Sequence, residues 1–155
     1  YYQGFSGFVG GPIGRWLIRR QNFFVQTIVS LAYGDRSKLT PQIHKHYLEP
    51  LSKPEERRGN WVFPKQIIGS SAWLDSLWNQ RHVLNEKISL IAWCGKDIAF
   101  REKELNTWIN AFPKARVLRF EKSGHFLLEE NPSELAEAIQ NIFVRAPFGS
   151  QVRTS

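Results

Sequence analysis

The spacing of apolar positions changes near residue 88, and the chain divides there into two kinds of element. Up to that point apolar residues recur at helical intervals. Gly14 to Leu31 carries Trp16, Leu17, Phe24, Ile28 and Leu31 as a stripe, with Arg15 and Arg19 on another face, and reads as one amphipathic helix. Ahead of it, Gly4, Gly7, Gly10 and Gly11 lie among aromatics without GxGxxG spacing, so residues 1–14 read as a flexible loop. Thr40-Pro41 is an N-cap followed by proline at the first helical position, and the helix it starts ends before Pro50. Ser52 to Arg58 is a polar connection, and Trp61, Val62 and Phe63 break in as an apolar cluster before Pro64. Ser70 or Ser71 caps a further helix with Trp73, Leu74, Leu77 and Trp78 on one side.

After residue 88 the pattern is strand, helix, strand, helix. Ile88 to Trp93 is a nearly continuous apolar run that fits a strand buried on both faces, and it stops at Gly95. Leu105, Trp108, Ile109 and Phe112 fall at helical spacing, closed by Pro113. Ala115 to Glu121 alternates, with Leu118 and Phe120 on one face and Val117, Arg119 and Glu121 on the other. Asn131 caps a last helix, with Pro132 at its first position, Glu134 at the third, and Leu135, Ala138, Ile139, Ile142 and Phe143 as its stripe. Residues after Pro147 read as a loose tail.

Two strands joined by a helix in one sheet run parallel with a right-handed crossover, so the loops leaving both strands emerge at the same edge. Adjacent strands lie about 5 Å apart. Asp97, just past the first strand, and His125, just past the second, therefore come within hydrogen-bonding reach. An acid and an imidazole so placed are the two rear members of a nucleophile, base and orienting-acid system. His82 has no comparable context. Glu129 and Glu130 are the competing carboxylates, expected to sit beyond the histidine and face solvent or the helix start.

Composition narrows the partners. The net charge is +7, from 21 basic and 14 acidic residues, but the cations are scattered along the sequence, without a dense run or a nucleic-acid motif. A solvated surface, with no nucleic acid and no membrane as partner, is the reading that follows. His44 and His46 lie two apart, which points them to different sides of a helix and argues against a metal site. The single cysteine, Cys94, excludes an internal disulfide and fits inert packing. Without a long apolar span or a signal-like start, a cytoplasmic location is the default expectation.

The residues Gly95-Lys96-Asp97 after an apolar strand, and Ser123-Gly124-His125-Phe126-Leu127-Leu128-Glu129-Glu130-Asn131-Pro132 before a last helix, resemble the C-terminal part of an α/β-hydrolase. The Trp-rich segment upstream and the Gly-His-Phe sequence look most like the haloalkane-dehalogenase-like branch. The resemblance implies an α/β fold with residues 1–84 as a helical cap, 85–147 as the last two parallel strands and flanking helices of the core, and 148–155 as a tail. It implies Asp97 as triad acid and His125 as triad base, with no metal or organic cofactor. The substrate it implies is small and apolar, with Trp16, Trp61 and Trp73 as candidate halide donors by residue type and Phe126 as a further candidate contact. The family's nucleophile elbow, Gly-x-Ser/Asp-x-Gly, is nowhere in these residues, and methionine is absent throughout. The expectation is a fragment whose partner is the missing N-terminal half, inactive alone. Esterase and epoxide hydrolase chemistry, or a non-catalytic truncated member that binds a small apolar ligand, are the alternatives.

Overall fold

The computed structural model describes residues 2–145. The tail expected at 148–155 lies outside the described residues, as does the side chain of Phe143.

The N-terminal region is built of helices joined by turns, and it departs from the sequence reading in three places. Residues 2–10 form a helix, α1 (Tyr2–Gly10), where a flexible loop was expected. Each helical glycine costs roughly 0.5–1 kcal/mol relative to alanine. Packing of α1 against α5 (Arg58–Gly69), with Val9 fully buried, offsets that cost. The single helix expected from Gly14 to Leu31 is broken: α2 (Pro12–Gln21) ends at Asn22 in the left-handed conformation, φ 50°. Asparagine tolerates that conformation, and its amide donates to the Leu51 carbonyl at 3.1 Å. The chain restarts as a π-helical stretch, Phe24–Val29, running into the single turn α3 (Ser30–Ala32). Beyond the break the helical phase is reset, and Val25 and Val29 are buried while Leu31 is exposed; within α2 it is Ile18 that faces inward and Trp16 that faces out. Trp61, Val62, Phe63 and Pro64, expected as an apolar cluster between loops, lie inside α5, with the proline ring buried.

Other signals hold. Thr40 caps α4 (Pro41–Leu48), its hydroxyl accepting the Ile43 amide at 3.3 Å. The helix α6 (Ser71–Asn79) begins as expected, although the Ser70 hydroxyl donates to Gln66 and caps nothing. Among the described residues no helix is long and apolar enough to cross a membrane.

The C-terminal region builds β1 (Leu90–Cys94), α7 (Glu102–Ala111), β2 (Arg116–Phe120), the short α8 (Leu127–Glu130) and α9 (Pro132–Arg145). The strands pair in parallel, with Leu90 opposite Arg116 and Cys94 opposite Phe120. Only Cys94 of β1 is buried; Leu90 to Trp93 are half-buried, where burial on both faces was expected. The reason is the sheet itself, which has two strands among the described residues, so that β1 is an edge. Cys94, Phe120 and Leu135 form one core, with Leu90, Ala92, Leu118 and Leu127 against it. Val25, Val29 and Tyr33 form a second, and Phe126 packs onto it from the C-terminal region.

The two regions are joined where the turn at Gly34 meets the loop after β2. The His125 amide donates to the Ala32 carbonyl at 2.8 Å. A methyl at Gly34 would lie 2.4 Å from the Gly124 nitrogen, and one at Gly124 2.2 Å from the Ala32 carbonyl oxygen, so the backbones touch because neither residue has a side chain. The Glu130 carboxylate, 3% exposed, closes the joint. It accepts the amides of Gly34 at 3.1 Å, Asp35 at 3.0 Å and Gly124 at 2.8 Å. Glu130 therefore neither faces solvent nor serves the helix start, because three amides converge on it in the interior.

Two substitutions test the joint. Gly124→Ala is expected to destabilise the protein by about 1–3 kcal/mol through overpacking, read as a lowered melting temperature. Glu130→Gln keeps the shape but places an NH2 group against a ring of donors. A loss of about 1–3 kcal/mol is expected from the unsatisfied groups, and unchanged thermal unfolding would refute the assignment.

Candidate active site

Asp97 and His125 are brought together by the strand pairing and by the contacts beyond its end. The Gly95 amide donates to the Phe120 carbonyl at 3.0 Å and the Lys96 amide to the Ser123 carbonyl at 3.0 Å, so the two loops leave the sheet side by side. Asp97 then turns on itself. Its Oδ1 accepts the amides of Ala99 at 2.7 Å and Phe100 at 3.1 Å, and its side chain is only 10% exposed. His125 Nδ1 lies 3.0 Å from Oδ2 and 3.2 Å from Oδ1.

This geometry sets both ionisations. Burial works to raise the Asp97 pKa, but the bonds from His125 and the two amides outweigh it and hold the carboxyl below its ordinary value. The hydrogen bond to Asp97 raises the His125 pKa, against the opposing effect of burial. An imidazole that donates from Nδ1 to a fixed carboxylate presents the Nε2 lone pair outward, the arrangement of a general base. The ring stacks on Phe100 at 5.7 Å between centroids and meets the edge of Phe126 at 5.7 Å. Its side chain stays 40% exposed, so the outer nitrogen is reachable.

The aromatic candidates separate into groups. Phe126 adjoins His125 and also stacks on Tyr33 at 4.9 Å. Trp61 instead lies beneath Arg15, whose guanidinium is 4.4 Å from the ring centroid, and Trp16 lines a cavity beside α2 whose lining does not include His125 or Asp97. Trp73 is 61% exposed on α6. Among the described residues no cluster of three potential metal ligands occurs. Burial pushes the Cys94 thiol up to about 12, with Asp97 and Glu130 adding to the effect, so it stays protonated.

Sequence reasoning missed four contributing side chains, those of Glu129, Tyr33, Tyr47 and Phe100. Glu129 was expected in solvent or at the helix start; its carboxylate accepts hydrogen bonds from the Tyr33 and Tyr47 hydroxyls. Burial and that carboxylate push the Tyr47 hydroxyl up to about 12 and Tyr33 still higher, so both remain donors. Phe100 supplies the face on which the imidazole stacks.

No family model matches the chain. Haloalkane dehalogenase 2 of Mycobacterium tuberculosis is 30% identical over 137 residues, covering 87% of this chain and 47% of that protein. The cis-3-alkyl-4-alkyloxetan-2-one decarboxylase of Xanthomonas campestris is 27% identical over 143 residues, covering 88% and 46%. The chain thus spans about half the length of the curated relatives it matches. Crystal structures of DbjA superpose with TM-scores of 0.71 for a mutant and 0.69 for the wild type, at 17% and 19% identity. They cover 92% and 94% of this chain and 51% and 50% of DbjA. The chain is thus similar in sequence to a haloalkane dehalogenase, and its backbone has the architecture of a helical cap followed by the C-terminal part of an α/β-hydrolase core.

Proposed function

We propose that the protein serves hydrolysis of a small apolar substrate, with His125 as general base and Asp97 as the acid that orients it. The observation that carries this is the contact between a desolvated, amide-bonded carboxylate and Nδ1 of an imidazole whose other nitrogen is accessible. The nucleophile comes from a part of the fold that the relatives carry beyond the span matched here. In the dehalogenase version, a carboxylate displaces halide from carbon, forming an ester and releasing the halide. His125 Nε2 then takes a proton from water as its oxygen attacks the ester carbonyl. Collapse of that adduct expels the alkoxide, which leaves as the alcohol with the proton held on His125, and the acid left behind gives its own proton to water to become the carboxylate again; the imidazolium formed in between is stabilised by Asp97. Phe100 and Phe126 keep the base in apolar surroundings.

The edge position of β1 and the exposure of Ile88, Val117, Trp108 and Ile139 support docking of that further part against the sheet and its flanking helices. An esterase with a serine nucleophile would use the same two residues, with His125 also deprotonating the serine.

The pH behaviour follows from the ionisations. His125 Nε2 is free to accept a proton only above its raised pKa, so the rate limb it governs lies above the ordinary histidine value of about 6.5. The pair's stability contribution is lost as pH rises through the His125 pKa, and again as pH falls through the lowered Asp97 pKa. Titration of the His125 ring by NMR is expected to show the raised pKa, and Asp97→Asn to bring it down. An inflection that does not move in Asp97→Asn would refute the pairing.

Activity is tested on the full-length protein with haloalkanes and nitrophenyl esters. His125→Ala is expected to lower turnover by about 10³-fold or more. With a carboxylate nucleophile this variant still releases one equivalent of halide and then stalls as the ester; with serine it fails before acylation. Unchanged steady-state turnover in His125→Ala would sink the proposal.

A further inference from the structure

Cations that are scattered in sequence converge in space at a second place, remote in its lining from His125. A cavity of about 700 Å³ beside α2 is bordered by Arg15, Trp16, Arg19, Arg20 and Lys65, with Glu55 the only carboxylate in its lining. That volume falls in the ~300–1,000 Å³ range of small-ligand sites. No carboxylate among the described residues lies within 4.0 Å of any of these four cations, whereas Lys45, Lys114 and Arg119 all have such partners.

Two of the cations are held in place despite their mutual repulsion. The Arg15 guanidinium lies 4.4 Å and the Lys65 amine 5.4 Å from the centroid of the same indole, Trp61. The Lys65 stem crosses Gly10 so closely that a methyl there would meet its Cγ at 2.6 Å. A third, buried cation backs the cluster. Arg57, 8% exposed, spends its guanidinium on the carbonyls of Leu51 at 2.7 Å, Arg19 at 2.6 Å and Ser52 at 2.6 Å, so its charge is not cancelled by any carboxylate there. Trp16, 55% exposed, is the aromatic residue of the cavity lining.

We propose that this cavity binds a small diphosphate-bearing ligand, its phosphates held by Arg15, Arg19 and Lys65 and any attached ring resting on Trp16. Adjacent phosphates carry the charge density that several unpaired cations require, and guanidinium groups match their oxygens two at a time. A monoanion would leave most of the cluster uncompensated.

The test is a tryptophan-fluorescence titration of the full chain with inorganic pyrophosphate in low-salt buffer, followed by ADP to ask whether a ring adds affinity. Saturable pyrophosphate binding is expected. It should weaken about tenfold or more in Arg15→Gln and in Arg19→Gln, the loss of a charge-assisted bond, and stay unchanged in Arg119→Gln. Circular-dichroism melts show which variants remain folded, and two variants at the site guard against the failure of one. Tighter binding of ADP than of pyrophosphate, with the difference lost in Trp16→Ala, adds the ring contact. Absence of saturation at millimolar pyrophosphate overturns the proposal, as does equal binding by the wild type and both folded site variants.

Discussion

A carboxylate buried among backbone amides governs how this molecule holds together. Glu130 accepts from Gly34, Asp35 and Gly124, two of which belong to the helical region and one to the loop that carries His125. Burying a charge is costly unless hydrogen bonds replace its water, and three amides at 2.8–3.1 Å do so. The amides gain in turn, since turn backbones in the interior would otherwise lack acceptors. The exchange requires Gly34 and Gly124 to approach without side chains. The histidine loop is thus positioned by the cap side of the molecule as much as by its own strand.

The same economy of donors appears one step outward. Asp97 is fixed by two amides of its own turn before it meets the imidazole, so the acid does not depend on the base for its orientation. Tyr33 and Tyr47, both kept protonated, converge on Glu129, and Tyr33 also stacks on Phe126. Asp97 is therefore locked by its own turn and Phe126 by Tyr33 of the helical region, which is what holds reacting groups within the tolerance that proton transfer demands.

Local signals in the sequence carried a large part of this. The strand, helix, strand, helix series after residue 88 and the meeting of Asp97 with His125 follow from apolar spacing and the rule for parallel strands, and the structure has both. The Thr40-Pro41 start is legible because capping acts within four residues. What was not legible depends on tertiary partners. The glycine-rich start is a helix because α5 covers it; the break at Asn22 is stabilised by a carbonyl 29 positions away; and β1 reads as a central strand although it has one neighbour among the described residues. Glu130 follows Glu129 in sequence, and nothing in that pair tells which one turns inward.

Charge shows the same limit most sharply. Arg15, Arg19, Arg20 and Lys65 form no run along the chain, and the sequence pattern alone argues for an evenly solvated surface. Folding α1 against α5 carries Lys65 over Gly10 to the start of α2, where helical spacing already sets Arg15 and Arg19 one turn apart. Four cations and a single carboxylate thereby share one flank of the helical region, while the exposed apolar residues Ile88, Val117 and Ile139 belong to the C-terminal region. Association through the C-terminal region would rest mainly on apolar area, with weak dependence on ionic strength. An anion held at the basic cavity would be screened over about a Debye length, 10 Å at 0.1 M salt. Salt therefore separates the two surfaces, since raising it strips the second and leaves the first intact.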